Sequence, residues 1–134
     1  MVGASREATR IYLRHFLTHW SGKKDWVMER ELDHWVDAYS QPGALRGGFA
    51  YYKAFERVRT TQGDAPAGTL RVEVPTLVLW GDADAILPVA WADRLPEYFA
   101  TLTLKRIAGV GHFMMREAPD LVADEAGTFL RGAP

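Results

Sequence analysis

The stretch Val74-Pro75-Thr76-Leu77-Val78-Leu79-Trp80, followed by Gly81-Asp82-Ala83-Asp84, decides the fold class. Its apolar residues run without alternation and stop abruptly at a glycine and an acidic turn. That pattern predicts a strand covered on both faces, as in parallel sheets flanked by helices. A short helix is expected behind it, over 89–95, and then a weaker strand, Leu102-Thr103-Leu104-Lys105-Arg106-Ile107. Gly109-Val110-Gly111-His112 makes a turn, and a last helix starts near Pro119 with Leu121, Val122, Ala126, Phe129 and Leu130 on its apolar side. Strand, helix, strand, helix is a βαβα unit, which implies a parallel strand pair.

Working back from this unit, residues 60–69 (TTQGDAPAGT) are small, polar and rich in turn formers, and form the best internal boundary. The chain before them reads as helical. Ser5 is placed to cap a helix whose stripe is Tyr12, Leu13, Phe16, Leu17 and Trp20, ended by Ser21-Gly22. A second helix is expected over 27–39, with Leu32, Trp35, Val36 and Tyr39 inward. Ser40-Gln41-Pro42 divides it from a third, over 42–58, with Pro42 in the first turn. That third helix carries two adjoining stripes, Leu45-Phe49-Tyr52 and Tyr51-Phe55-Val58, and so is expected to lie between two layers. Gly47-Gly48 within it costs roughly 1 kcal/mol per glycine relative to Ala, which predicts a close neighbour there.

Composition narrows the function classes. The 134 residues include 16 Lys+Arg and 17 Asp+Glu, for a net charge of −1, and no cysteine. This balance argues against a basic nucleic-acid binder or an acidic tail, and it leaves no disulfide, thiolate zinc site or cysteine nucleophile. The first residues, MVGASREATR, lack the apolar core of a signal peptide, and no apolar run approaches a bilayer span. A cytoplasmic protein without nucleic-acid or membrane partners is expected. Two strands, however, do not make a stable open parallel sheet. Either another chain completes the sheet or these residues are part of a larger fold.

The chemistry-bearing frame is Gly81-x-x-Asp84-x-x-x-Pro88 after the first strand and Gly109-x-Gly111-His112 after the second. Each puts a functional side chain just past the carboxyl end of a parallel strand, where open α/β sheets build their sites. An Asp that orients an imidazole and a His that moves protons form the base half of a hydrolytic triad. Either residue alone is better read as a turn cap or a loop histidine; the pair in this frame favours catalysis. Asp82 falls too early to be the acid. His15 and His19 are four apart but lack a third ligand, so no metal site is predicted. Gly109-Val110-Gly111 is too short for a dinucleotide fingerprint, and no cofactor is expected. Trp80 and Trp91 flank the Asp84 loop and are candidate pocket walls.

The segment VPTLVLWGDADAILP…LKRIAGVGHFMMREAPDLVADEAGTFL, with its Gly-x-Gly-His turn and Glu117-x-Pro119, resembles the last two strands and helices of an α/β-hydrolase. YLRHFLTHW and AYSQPGALRGGFAYYKAF are similar to the helical cap of the epoxide hydrolase and haloacetate dehalogenase branch. The resemblance implies a partial α/β-hydrolase fold: a cap segment over 1–59, a linker over 60–69, and the C-terminal βαβα part of the core over 70–134. It makes Asp84 the triad acid and His112 the base. It also makes Tyr52 the cap tyrosine that protonates an epoxide oxygen, with Tyr51 a weaker candidate; at helical spacing both also read as packing residues. It implies no metal or organic cofactor, and a small hydrophobic substrate once the site is complete.

Parts of the family pattern are missing, among them the His-Gly-type oxyanion segment and the second cap residue that would assist Tyr52. The nucleophile elbow, Gly-x-Asp-x-Gly or Gly-x-Ser-x-Gly, does not occur; the sole Gly-x-x-x-Gly pentapeptide, Gly43 to Gly47, has leucine at its centre. The expectation is therefore the acid–base portion of an epoxide hydrolase-like enzyme, inactive alone and completed by upstream residues or by a separate N-terminal-half partner chain. The alternatives are part of a haloacetate dehalogenase or esterase, or a non-catalytic module that binds partners or self-associates as a homo-oligomer.

Overall fold

The computed structural model describes residues 5–62 and 71–132. Three helices come first: α1 (Arg6–Trp20), α2 (Glu29–Tyr39) and α3 (Ala44–Gln62). Strand β1 (Thr76–Gly81), a 3-10 helix (Val89–Glu97), strand β2 (Leu102–Ile107), a single turn α4 (Met114–Glu117) and α5 (Pro119–Gly132) follow. None of the described helices is long and apolar enough to cross a membrane. The described residues form two compact units, one of residues 5–16 with 27–62 and one of residues 17–26 with 71–132. The division falls inside α1, whose last turn clusters with the strands.

In the first unit, Ser5 caps α1 as its sequence position predicts: the Ala8 N–H donates to Ser5 Oγ at 3.1 Å. Leu13 of α1 and Leu32 and Val36 of α2 are buried, on the faces their spacing assigns to the core. Around them Arg10 pairs with Glu29 and Asp33, and Arg14 with Glu29.

The third helix departs from expectation in three ways. It starts at Ala44 rather than Pro42, because Gly43 takes a left-handed φ of 84° that no α-helix can contain. It runs on to Gln62, past Val58 and into the first residues of the expected 60–69 linker. Glu56 pairs with Arg59 three residues on, the Thr60 hydroxyl donates to the Glu56 carbonyl, and the turn formers begin only at Gly63. The rest of that linker lies outside the described residues. Finally, the described residues do not cover the helix on two sides. Tyr51, Tyr52, Phe55 and Val58 are all exposed, and a methyl group at Gly47 would meet nothing within 4 Å. At Gly48 the nearest atom is the Tyr39 ring, at an ordinary 3.8 Å.

The second unit contains the parallel pair. Thr76 lies opposite Leu102, and the register continues to Gly81 opposite Ile107. A 3-10 helix rather than an α-helix links the strands; Pro96 lies within it, and its ring removes an N–H that an α-helix would use. Helix α5 starts at Pro119, the residue suited to a first turn. β1 is not covered on both faces: Thr76–Trp80 are half-buried and only Gly81 is buried. It has one neighbouring strand among the described residues, and α5 covers it incompletely, since Leu121 and Leu130 remain exposed.

Candidate active site

The site is assembled where the two strands end. After Gly81 the chain turns, and Asp84 Oδ1 accepts the N–H groups of Ile86 and Leu87 at 2.8 and 2.9 Å. This folds the carboxylate back over its own loop, a conformation that Asp readily supports. Trp80 fastens the same loop by donating its indole N–H to the Leu87 carbonyl at 2.9 Å. The second carboxylate oxygen is left to face the next loop, where Asp84 Oδ2 lies 3.0 Å from His112 Nδ1.

His112 is held there by backbone. Gly109 adopts a φ of 68°, and its N–H donates to Asp82 Oδ1 at 2.7 Å. Asp82 thus ties the two loops together, while Asp84 meets the imidazole. The N–H groups of Asp82 and Ala83 donate to the carbonyls of Ile107 and Val110 at 3.1 and 3.0 Å. Close packing of the loops requires glycine at three positions. A Cβ on Gly22, Gly81 or Gly111 would lie under 3.0 Å from backbone of the neighbouring segments. The His112 N–H donates to the carbonyl of Trp20 at 2.8 Å, and the Trp20 ring stands edge-on to the imidazole with centroids 5.0 Å apart.

The imidazole side chain is 27% exposed and the Asp84 side chain 8%. Burial alone would raise the Asp84 carboxyl pKa. The N–H groups of Leu87 and Ile86, together with His112, outweigh it and hold the group below its ordinary value. The carboxylate is therefore anionic at neutral pH and an acceptor for an Nδ1 proton, which leaves Nε2 as the imidazole's free basic nitrogen. Beside the pair is a cavity of about 420 Å³, walled mainly by apolar side chains including Trp80, Leu87, Met114 and Met115.

Of the residues singled out from sequence, Asp84, His112 and Trp80 come together here. Trp91 does not line this cavity; it sits in the 3-10 helix with 61% of its surface exposed. Its spacing from Asp84 suggested a wall, but the 3-10 turn carries it outward. Tyr51 and Tyr52 belong to the first unit, on α3, with their rings 5.6 Å apart and edge-on. Tyr52 helps to line a small cleft with Tyr12, Phe16, Tyr39 and Phe49, and Tyr51 is 68% exposed. Within that cleft burial, followed by the neighbouring Tyr52 and Tyr39, pushes the Tyr12 phenol pKa up.

Two contributors were not visible in sequence as part of a site. Trp20 reads there as one residue of a helix stripe, and Gly22 as a helix stop. Glu117 reads as part of a motif, with no partners assigned.

No protein-family model matches the sequence. Curated relatives do. The chain is 31% identical over 113 residues to epoxide hydrolase A of Mycobacterium tuberculosis, which covers 84% of this chain and 34% of that protein. It is also 31% identical over 124 residues to human epoxide hydrolase 4, covering 89% of this chain and 33% of that one. The chain therefore spans about a third of the length of these relatives. Among solved structures, that of the epoxide hydrolase CorEH without ligand superposes with a TM-score of 0.78 at 23% identity, over 94% of this chain and 44% of that chain. The fold is accordingly a partial α/β-hydrolase fold.

Proposed function

We propose that this chain, a partial homologue of epoxide hydrolase-like α/β-hydrolases, supplies the acid–base half of a two-step hydrolase. The observation that carries the reading is the 3.0 Å approach of Asp84 Oδ2 to His112 Nδ1 beyond the ends of adjacent parallel strands. In the first step a carboxylate nucleophile attacks an epoxide carbon and forms an ester. The ring C–O bond breaks, and Tyr52 gives its proton to the departing oxygen. In the second, His112 Nε2 takes a proton from water as the water oxygen attacks the ester carbonyl. The ester C–O bond then breaks, the alkoxide takes that proton from the imidazolium, and the other proton of the water leaves the regenerated carboxyl to restore the Tyr52 phenol. Asp84 holds the ring and stabilises the imidazolium while it exists. Trp80 and the apolar wall favour a hydrophobic substrate; Tyr51 and Trp91 are assigned no chemical step. The 134 residues contain no elbow, so the nucleophile comes from residues outside them. A haloacid or an ester would use the same acid and base with a different leaving group.

The test is hydrolysis of a styrene-oxide-type epoxide. The chain alone is expected to leave it intact. Supplemented with a polypeptide that carries a Gly-x-Asp-x-Gly elbow on the preceding strands, it is expected to hydrolyse it, and His112→Ala to abolish that activity. Enzymatic turnover by the chain alone, lost in His112→Ala, would overturn the external nucleophile. Full activity of a supplemented His112→Ala chain would overturn the acid–base assignment.

A second reading, a non-catalytic self-associating module, draws on the exposed aromatic face of α3 at Tyr51, Phe55 and Val58. It predicts a well-folded oligomer whose activity is not raised by the elbow polypeptide. A monomer by light scattering counts against it.

A further inference from the structure

Glu117 is buried, yet its carboxylate is met by four backbone donors rather than by a cationic side chain. Oε2 accepts the N–H groups of Gly22, Lys23 and Gly111 at 2.9, 2.8 and 2.8 Å. Oε1 accepts that of Phe113 at 3.0 Å. Two of these donors flank His112 on either side. The other two lie just past α1, next to Trp20, whose carbonyl takes the His112 N–H. Four N–H groups converging on one buried side chain need about four lone-pair sites at one point, which among side chains only a carboxylate offers. An apolar residue of the same size would leave all four unsatisfied.

We infer that Glu117 is a positioning residue: its buried carboxylate pins the Gly111–Phe113 turn to the Gly22–Lys23 segment and thereby sets the imidazole of His112 against Asp84. It touches neither the imidazole nor the cavity, and it acts through the backbone on both sides of His112. Glu117→Gln keeps the shape but offers one acceptor oxygen. With that oxygen in the Oε2 position three donors are retained, and the Phe113 N–H, immediately after His112, faces an amide N–H₂. The distortion therefore falls on the residue beside the base. The catalytic consequence rests on the function proposed above; the positioning itself does not.

The experiment uses the full chain and needs no turnover. With ¹⁵N-labelled histidine, the Nδ1–H of His112 in its bond to Asp84 is read as a low-field proton, assigned by its loss in His112→Ala. Near-UV circular dichroism reads packing. In Glu117→Gln with the near-UV spectrum of the parent, that signal is expected to vanish, or to exchange with water roughly tenfold faster or more. Asp124→Asn, an exposed carboxylate exchange elsewhere in the unit, leaves it unchanged. A folded Glu117→Gln with an unaltered His112 signal would overturn the inference.

If Glu117→Gln does not fold, amide exchange on the unsubstituted chain decides. Gly22, Lys23, Gly111 and Phe113 are expected to share one degree of protection, as members of a single closed unit. Unprotected Gly22 and Lys23 beside protected Gly111 and Phe113 would overturn the inference. A parent chain without the low-field signal would count against the acid–base pair, and the same amide pattern would still decide the role of Glu117.

Discussion

Replacing Gly22 by alanine would place a methyl carbon 2.5 Å from the carbonyl oxygen of Gly109, and 2.9 Å from both the Gly111 nitrogen and the Ala83 Cβ. Ordinary contact for such a carbon begins near 3.4 Å. Two of the three atoms it would meet are backbone, in a turn that Asp82 and Glu117 already hold, so no flexible side chain can give way. Overpacking of this kind costs about 1–3 kcal/mol. Retreat of the 22–23 segment also weakens two charge-assisted bonds to Glu117, each worth about 1.5–3 kcal/mol when intact. A loss of about 2–4 kcal/mol is expected, a large part of the stability of a chain this size. Gly47→Ala is the matched control. It is also a glycine-to-alanine change, but the added methyl meets nothing within 4 Å and the site is in mid-helix, so a gain of about 0.5–1 kcal/mol is expected. Urea unfolding followed by near-UV circular dichroism measures both. A Gly22→Ala chain as stable as the parent, or a Gly47→Ala chain less stable than it, would refute the close-packing argument.

Because the Asp84 pKa is lowered on folding, its contribution to stability is fully present above the ordinary carboxylate value, about 3.9, and is lost as pH falls through the lowered folded value. Asp84→Asn should therefore flatten the acid limb of the stability–pH curve below about pH 4, read by urea midpoints across pH 2–6. An unchanged acid limb would show that the carboxylate gains nothing on folding. Leu32→Ala removes a fully buried side chain of α2 and is expected to cost about 2–5 kcal/mol, measured by the same unfolding assay; a cost under ~0.5 kcal/mol would place Leu32 outside the core.

Much of the architecture was legible because it is local. The continuous apolar run before Gly81 predicts β1, and the step from β grammar to Gly-x-Gly-His predicts where β2 ends. Spacing puts Leu32 and Val36 on the buried side of α2, and both are buried. The nearness of Asp84 to His112 follows from the same reasoning, since two parallel neighbours bring their carboxyl ends to one edge whatever else the fold contains. The misreadings have one cause. The broad apolar girth of α3, the glycine pair within it and the unbroken apolar run of β1 all describe surfaces suited to being covered. No pattern within a segment states whether the described residues supply the cover, and at α3 they leave Tyr51, Phe55 and Val58 exposed.

The order of elements, the parallel pairing and the acid-then-base frame thus come from residues acting on their near neighbours, through backbone propensity and hydrophobic period. The remainder depends on segments far apart in the chain. Gly22, Gly81 and Gly111 interleave because three backbones approach more closely than a Cβ permits. Glu117 is buried because that approach gathers four N–H donors, two of them some ninety residues distant in sequence, around its carboxylate. Such a site has no local signature, since no single segment contains both the acceptor and all its donors, and folding alone brings them together.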